Sequence, residues 1–308
     1  MTAATRIDPT GTQIHLRRDG AGGEVTAHIA QVGAALRGLS VGGVDIVTRY
    51  DAGSPTPFGS GIVLAPWPNR IRDGKWNDNG TERQLDLTEV ALNNAIHGLL
   101  RYTPYEIDAS EDTVTLSATI FPQHGWPYTL RTSVTYALTD DGVQVTHTVE
   151  NVGEGDAPVA LGTHPFFCIG GVETADLTLT LPATTVFEVD ERLLPTAEVP
   201  VSGEWDLRGG ARVGDLDLDT GFGKLERDAD GRARSSITAP DGRRVTMWQD
   251  ENWDYIQAFN TDKYPGHDVA LAIEPMTAPT DAFNSGQDLR RLAPGEQWTA
   301  TWGVAYSA

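Results

Sequence analysis

The chain has 308 residues, 33 of them glycine and 18 proline, and a formal net charge of −20. A surface this acidic repels polyanions, which excludes nucleic acid and anionic membranes as general partners. The one cysteine, Cys168, excludes an intrachain disulfide and fits a reducing compartment.

No Cys/His cluster has zinc spacing, so no metal is expected. The stretch "MTAATRIDPTGTQIHL" lacks an apolar core of signal-peptide length, and no segment approaches the length of a membrane span. A cytoplasmic protein is the expectation.

Few stretches carry an apolar period of 3.6, whereas alternation recurs along the chain. Residues 24–47 give short apolar pieces cut by glycine. In "TVTLSATIF" (113–121), Val114, Leu116, Ala118 and Ile120 share one face. Residues 129–151 read as a hairpin with "DDG" at the turn. His147 falls on the face of Val143, Val145 and Val149, which suggests packing.

The run 176–190 alternates, and 232–250 is a second hairpin turning at "PDG". "YIQAFN" (255–260) and "VALAIEPM" (269–276) read as strands buried on at least one face, and 297–307 as a closing strand. The expected fold is all-β: one large antiparallel β-sandwich with long loops. No linker divides the chain, so a single domain over 1–308 is expected, with 1–24 partly peripheral.

Four turn-rich segments carry chemistry-bearing residues, where loops on a rigid sheet concentrate function. They are "APWPNRIRDGKW" (65–76) with Asn69 and Arg70, "NNAIHGLLRY" (93–102) with His97, "ALGTHPFFCIGG" (160–171) with His164, and "AIEPMTAPTDAFN" (272–284) with Glu274. A carboxylate at the end of a buried strand costs free energy unless it is paired, for instance with Arg70, or at work. His97 and His164, each taken alone, read as satisfied or exposed histidines before catalytic ones. Asp219 in "LDLDTGF" reads alone as a solvated loop carboxylate. Cys168, after two phenylalanines, is expected buried and inert.

"NRIRDGKW", "HGLLR", "THPFF" and "EPMTAPTDAFN", in that order, with "LAPGE" before a Trp/Thr-rich final strand, resemble the aldose 1-epimerase (mutarotase) family over roughly residues 25–305. The resemblance implies a galactose-mutarotase-type β-sandwich that acts on a monosaccharide without a cofactor. It implies Glu274 as general base, His164 as general acid and His97 as a further donor at the reacting centre. Arg70 and Asp219, with Asn69 beside Arg70, are implied as substrate-binding.

Mutarotation needs one group to take the proton of the C1 hydroxyl and another to protonate O5; a carboxylate and an imidazolium suit those tasks. Trp67, Trp76 and above all Trp248 are candidates for an apolar face against the sugar ring. "HGLLRYTPYE" lacks a second glycine after His97, and "THPFFCIGG" has Phe where Tyr is frequent in the family. These departures resemble a less characterised branch that could act on anionic sugars such as sulfosugars or hexose phosphates, with Arg70, Arg72 and Arg101 available to an anion.

The other readings are a non-catalytic sugar-binding protein on the same fold and a glycoside hydrolase using Asp219 and Glu274 as its carboxylate pair. A monomer or weak homodimer is expected.

Overall fold

The computed structural model of the chain describes residues 7–308. All strand pairing among them is antiparallel, in three main sheets. A four-stranded sheet runs in chain order through Gln13–Gly20, Gly23–Ala30, Ala35–Val41 and Val44–Asp45. A nine-stranded sheet has the order Glu106–Ala109, Thr113–Ile120, Leu130–Leu138, Gly142–Asn151, Gln297–Ser307, Arg244–Gln249, Ala233–Thr238, Thr178–Thr180 and Ala211–Arg212. The third sheet runs Pro195–Pro200, Ala183–Val189, Asp219–Leu225, Tyr255–Thr261, Ala270–Met276, Gly162–Thr163 and Val63–Leu64, with Phe166–Phe167 also paired to Ala270–Met276. The one α-helix among the described residues is the single turn Ala282–Ser285. No helix of these residues is long and apolar enough to cross a membrane.

Alternation does what the sequence indicates. Val114, Leu116 and Ile120 are buried on one face of their strand, and His147 is buried with Val143, Val145 and Val149. His147 Nε2 accepts a hydrogen bond from Trp302 Nε1 at 3.1 Å, which accounts for this histidine as structural. Both predicted hairpins form. One apolar core draws on all three sheets, joining Leu16 and Ile29, Leu116 and Val145, and Phe222, Ile256 and Ile273.

Gln13–Gly20 pairs along its whole length with Gly23–Ala30 and buries Ile14 and Leu16; residues 1–6 lie outside the described residues. One expectation is corrected. The run 176–190 is two strands in different sheets, Thr178–Thr180 and Ala183–Val189. Pro182 sits at the break, where it has no N–H to give to a ladder. The closing strand forms over Gln297–Ser307 as read. It lies inside the nine-stranded sheet between Gly142–Asn151 and Arg244–Gln249.

The third sheet positions the site. Its strand Ala270–Met276 is buried on both faces. Leu271 and Ile273 enter the main core, so by the two-residue period Ala270, Ala272, Glu274 and Met276 share the opposite face. On the neighbouring strand Ile256 and Ala258 face the core, leaving Tyr255, Gln257 and Phe259 opposite; on the next, Phe222 faces the core and Asp219 and Gly221 do not. Register then sets Glu274 beside Gln257, Gln257 beside Gly221, and Phe259 beside Asp219.

Candidate active site

A cavity of about 370 Å³ opens on that second face, within the size range of small-molecule sites. Asn69, Arg70, His97, His164, Asp219 and Glu274 all line it. Six of the seven residues singled out in the sequence therefore converge. The seventh, Trp248, does not. Its neighbours Met247 and Gln249 are buried toward the core, so the pleat turns Trp248 to the other face, where Arg232 lies over its ring at 3.9 Å. Trp67 and Trp76 are buried against Phe283, away from this cavity. Its apolar surface comes instead from Phe58 and Phe259, with Tyr102 at the rim. Phe58 is 41 % exposed and holds φ 49°, a strained conformation for an aromatic residue.

His164 lies between the short strands Gly162–Thr163 and Phe166–Phe167. Its backbone is clamped to residues 61 and 62: the N–H donates to Ile62 O at 3.1 Å and its carbonyl accepts from Gly61 at 2.7 Å. Phe166 stacks on the imidazole at 5.3 Å, whereas Phe167 enters the main core. The ring is thus aimed by an aromatic face and a fixed backbone. His164 Nε2 lies 3.2 Å from Glu274 Oε1, and the two side chains are only 6 % and 2 % exposed.

Glu274 Oε2 and His164 Nδ1 are buried with no partner. Burial pushes the Glu274 carboxyl well above the usual carboxylate range; Asp219 adds to this and Arg70 opposes it. Burial also pulls the His164 imidazole down to about 4. Low-dielectric surroundings disfavour charge on each group, which favours the uncharged form of the pair with one proton between them.

His97 follows the strand Asn94–Ile96, which pairs with Arg70–Arg72. It adopts φ 64°, its N–H donates to Asn69 O at 2.9 Å, and its ring meets that of His164 edge-on at 5.4 Å. Burial first, then His164, Arg70 and Arg101, hold His97 well below the usual imidazole value. It is a neutral ring near pH 7.

The glycine after it is required by space. Gly98 has φ 69°, and a Cβ there would stand 2.1 Å from Ala65 O. Gly98→Ala is expected to cost roughly 2–3 kcal/mol, since the clash is with backbone in a left-handed conformation. Thermal unfolding checks this, and a melting temperature equal to the parent's would refute it.

Asp219 Oδ1 accepts from Gln257 Nε2 at 2.6 Å, and Asp219 Oδ2 lies 3.4 Å from Arg70 Nη2. Arg70 does not pair with Glu274. Its main partner is Glu89, which also lines the cavity. Burial lowers the guanidinium pKa, but Glu89, Asp219 and Glu274 outweigh it and raise the value. Arg72 is directed elsewhere, to Asp190 and Asp281. Asp281 also accepts from the Arg72 N–H at 2.9 Å and donates its own N–H to Arg70 O at 2.8 Å. The second half of "EPMTAPTDAFN" therefore fixes the strand that carries Arg70. Cys168, expected buried, is only half-buried because it lies at the end of its strand beyond Phe167; its Sγ donates to Asp45 O at 3.5 Å, and desolvation pushes the thiol up to about 12. Among the described residues no group of three or more His, Cys, Asp or Glu side chains is arranged to hold a metal ion.

Glu89, Gln257, Phe58 and Phe259 are among the cavity residues that sequence reasoning missed. Gln257 carried a readable signal, a polar residue inside the apolar run "YIQAFN". Glu89, in the irregular segment before Val90–Leu92, carried none.

The protein is thus an all-β sandwich with a buried carboxylate–imidazole contact in a polar, aromatic-edged cleft. The sequence model of the aldose 1-epimerase family matches residues 16–304, and the chain belongs to that family. It is 33 % identical over 281 residues to the Escherichia coli protein YihR, which is described as uncharacterized, covering 90 % of this chain and 88 % of that one. It is 30 % identical over 165 residues to human galactose mutarotase, covering 50 % of this chain and 46 % of the relative. A galactose mutarotase-like protein from Clostridium acetobutylicum has the same fold, with a TM-score of 0.83, 20 % identity and 95 % of each chain covered.

Proposed function

We propose that the protein is an aldose 1-epimerase that interconverts the α and β anomers of a neutral aldohexose. The observation that carries this reading is the 3.2 Å contact between His164 Nε2 and Glu274 Oε1. O1 and O5 of a pyranose are bonded to the same carbon, and two groups in mutual contact can reach both.

Once the shared proton passes from Glu274 Oε1 to His164 Nε2 across their contact, ring opening moves the O1 proton to the Glu274 carboxylate and the His164 proton to O5. The C1–O5 bond breaks and C1–O1 becomes a carbonyl. After rotation about the C1–C2 bond, His164 takes the proton back from the C5 hydroxyl, O5 attacks the other face of C1, and Glu274 returns a proton to O1. One shared proton serves both directions, and the pair is restored at the end.

Neutral His97 donates a hydrogen bond as charge builds on the sugar oxygens. Arg70, Asn69 and Asp219 orient hydroxyls, with Gln257 fixing Asp219. Phe58 and Phe259 give the apolar side of the ring a surface.

The hydrolase reading loses support because Asp219 is engaged by Gln257 and Arg70. An anionic sugar is favoured by one observation only. Arg101 lines the cavity, has no carboxylate within ion-pair range among the described residues, and lies over the ring of Tyr102.

The test is anomerisation of freshly dissolved sugars, followed by polarimetry or NMR, over neutral, phosphorylated and sulfonated hexoses. Faster equilibration of a neutral hexose is expected. A panel in which no sugar equilibrates faster than the blank would end the epimerase reading and leave the sugar-binding one.

A further inference from the structure

Arg70 stands in the cleft with its charge already engaged. Its Nε donates to Glu89 Oε1 and Oε2 at 3.2 and 2.9 Å, and its Nη2 donates to Glu89 Oε1 at 3.0 Å and to Asp219 Oδ2 at 3.4 Å. Nη1 donates to Asn69 Oδ1 at 3.3 Å. A guanidinium has five N–H groups, one on Nε and two on each Nη. Those contacts take the Nε proton, both on Nη2 and one on Nη1, which leaves a single N–H on Nη1. One N–H suits a hydroxyl, whereas an oxyanion is recognised through two parallel N–H groups and an uncompensated charge.

Glu89 is itself held from behind. Its Oε2 accepts from the buried Asn94 side chain at 2.9 Å, and Asn94 Oδ1 accepts from Arg192 Nη2 at 3.1 Å. The Glu89 N–H donates to Asn94 O at 2.9 Å. The carboxylate is therefore placed by its own surroundings and imposes its position on Arg70.

We propose that Glu89 is a positioning and specificity-determining residue. It fixes the Arg70 guanidinium and occupies its fork, so that Arg70 reads one sugar hydroxyl and rejects oxyanions. The proposal rests on the sugar-binding reading of the cleft and adds the charge selection.

The test uses the full chain and the variants Glu89→Asp and Glu89→Gln, with circular dichroism to confirm folding. Two quantities are measured: the KM and kcat for a neutral hexose, and the Kd of inorganic sulfate by titration calorimetry. Removing the negative charge in Glu89→Gln is expected to raise KM about tenfold, with kcat within about threefold, and to tighten sulfate binding about tenfold. Glu89→Asp keeps the charge one methylene further from Arg70 and should fall between the parent and Glu89→Gln in both readouts. If the Gln variant does not fold, the Asp variant decides, by a shift in both readouts or in neither.

Equal sulfate affinity across the folded series would overturn the proposal. So would a loss confined to kcat, which would place Glu89 in the chemistry. If the parent accelerated no sugar, the epimerase reading would fail, and the sulfate series would still decide the role of Glu89.

Discussion

Glu274→Gln is expected to lower kcat for mutarotation about 10³-fold, the range for losing a general base or acid, while KM stays within a few-fold. Gln has nearly the same shape and can still meet His164 through its amide, but it cannot carry the O1 proton. Stability should not fall. The parent keeps a carboxyl at 2 % exposure, and burial raises its pKa far above the ordinary range. Replacing it by a neutral amide removes a group that is costly to ionise there. Polarimetry and thermal unfolding read the two effects separately. A kcat within about threefold of the parent, in a folded variant, would remove Glu274 as the proton carrier.

His164→Asn is expected to cost about 10²–10³-fold in kcat and to change the shape of the pH profile. In the parent the active form holds one proton on the pair. On the acid side this form is lost when a second proton binds, as pH falls toward the depressed His164 value of about 4. On the alkaline side it is lost when the shared proton leaves Glu274, whose pKa is raised. The profile should therefore be flat through neutrality with an acid limb, and both limits belong to the pair.

Without the imidazole, Glu274 must lose its own proton to act as base. The rate should then rise with pH through the raised carboxyl value. A His164→Asn profile parallel to the parent's would exclude the shared-proton scheme.

Much of the site was legible because motif and period agreed. Alternation placed the strands, and four short motifs named five of the six residues that meet in the cleft; Asp219 came from "DTGF" alone. Three kinds of fact were not legible. Sheet order is a long-range property, so nothing in "QWTATWGVAYS" told that this strand lies inside its sheet. Trp248 was chosen by residue type, although the period that buries Met247 and Gln249 already turned it away. The Arg70–Glu89 pair joins a strand to an irregular segment through space, and no spacing rule predicts such a contact.

The register of three neighbouring strands has a consequence for how this protein can diverge. Asp219, Gln257 and Glu274 face the cleft only because Phe222, Ile256 and Ile273 face the core. A slip of one residue exchanges the two faces, and a deletion within a strand would drive carboxylates into the apolar interior. Protein quality control would remove such chains before any loss of activity mattered. Around the cleft, insertions and deletions are therefore tolerable in the irregular segment of residues 51–59, which pairs with no strand of this sheet. Lineages with new sugar preferences should differ in loop length there while the three strands under the cleft stay unchanged in length.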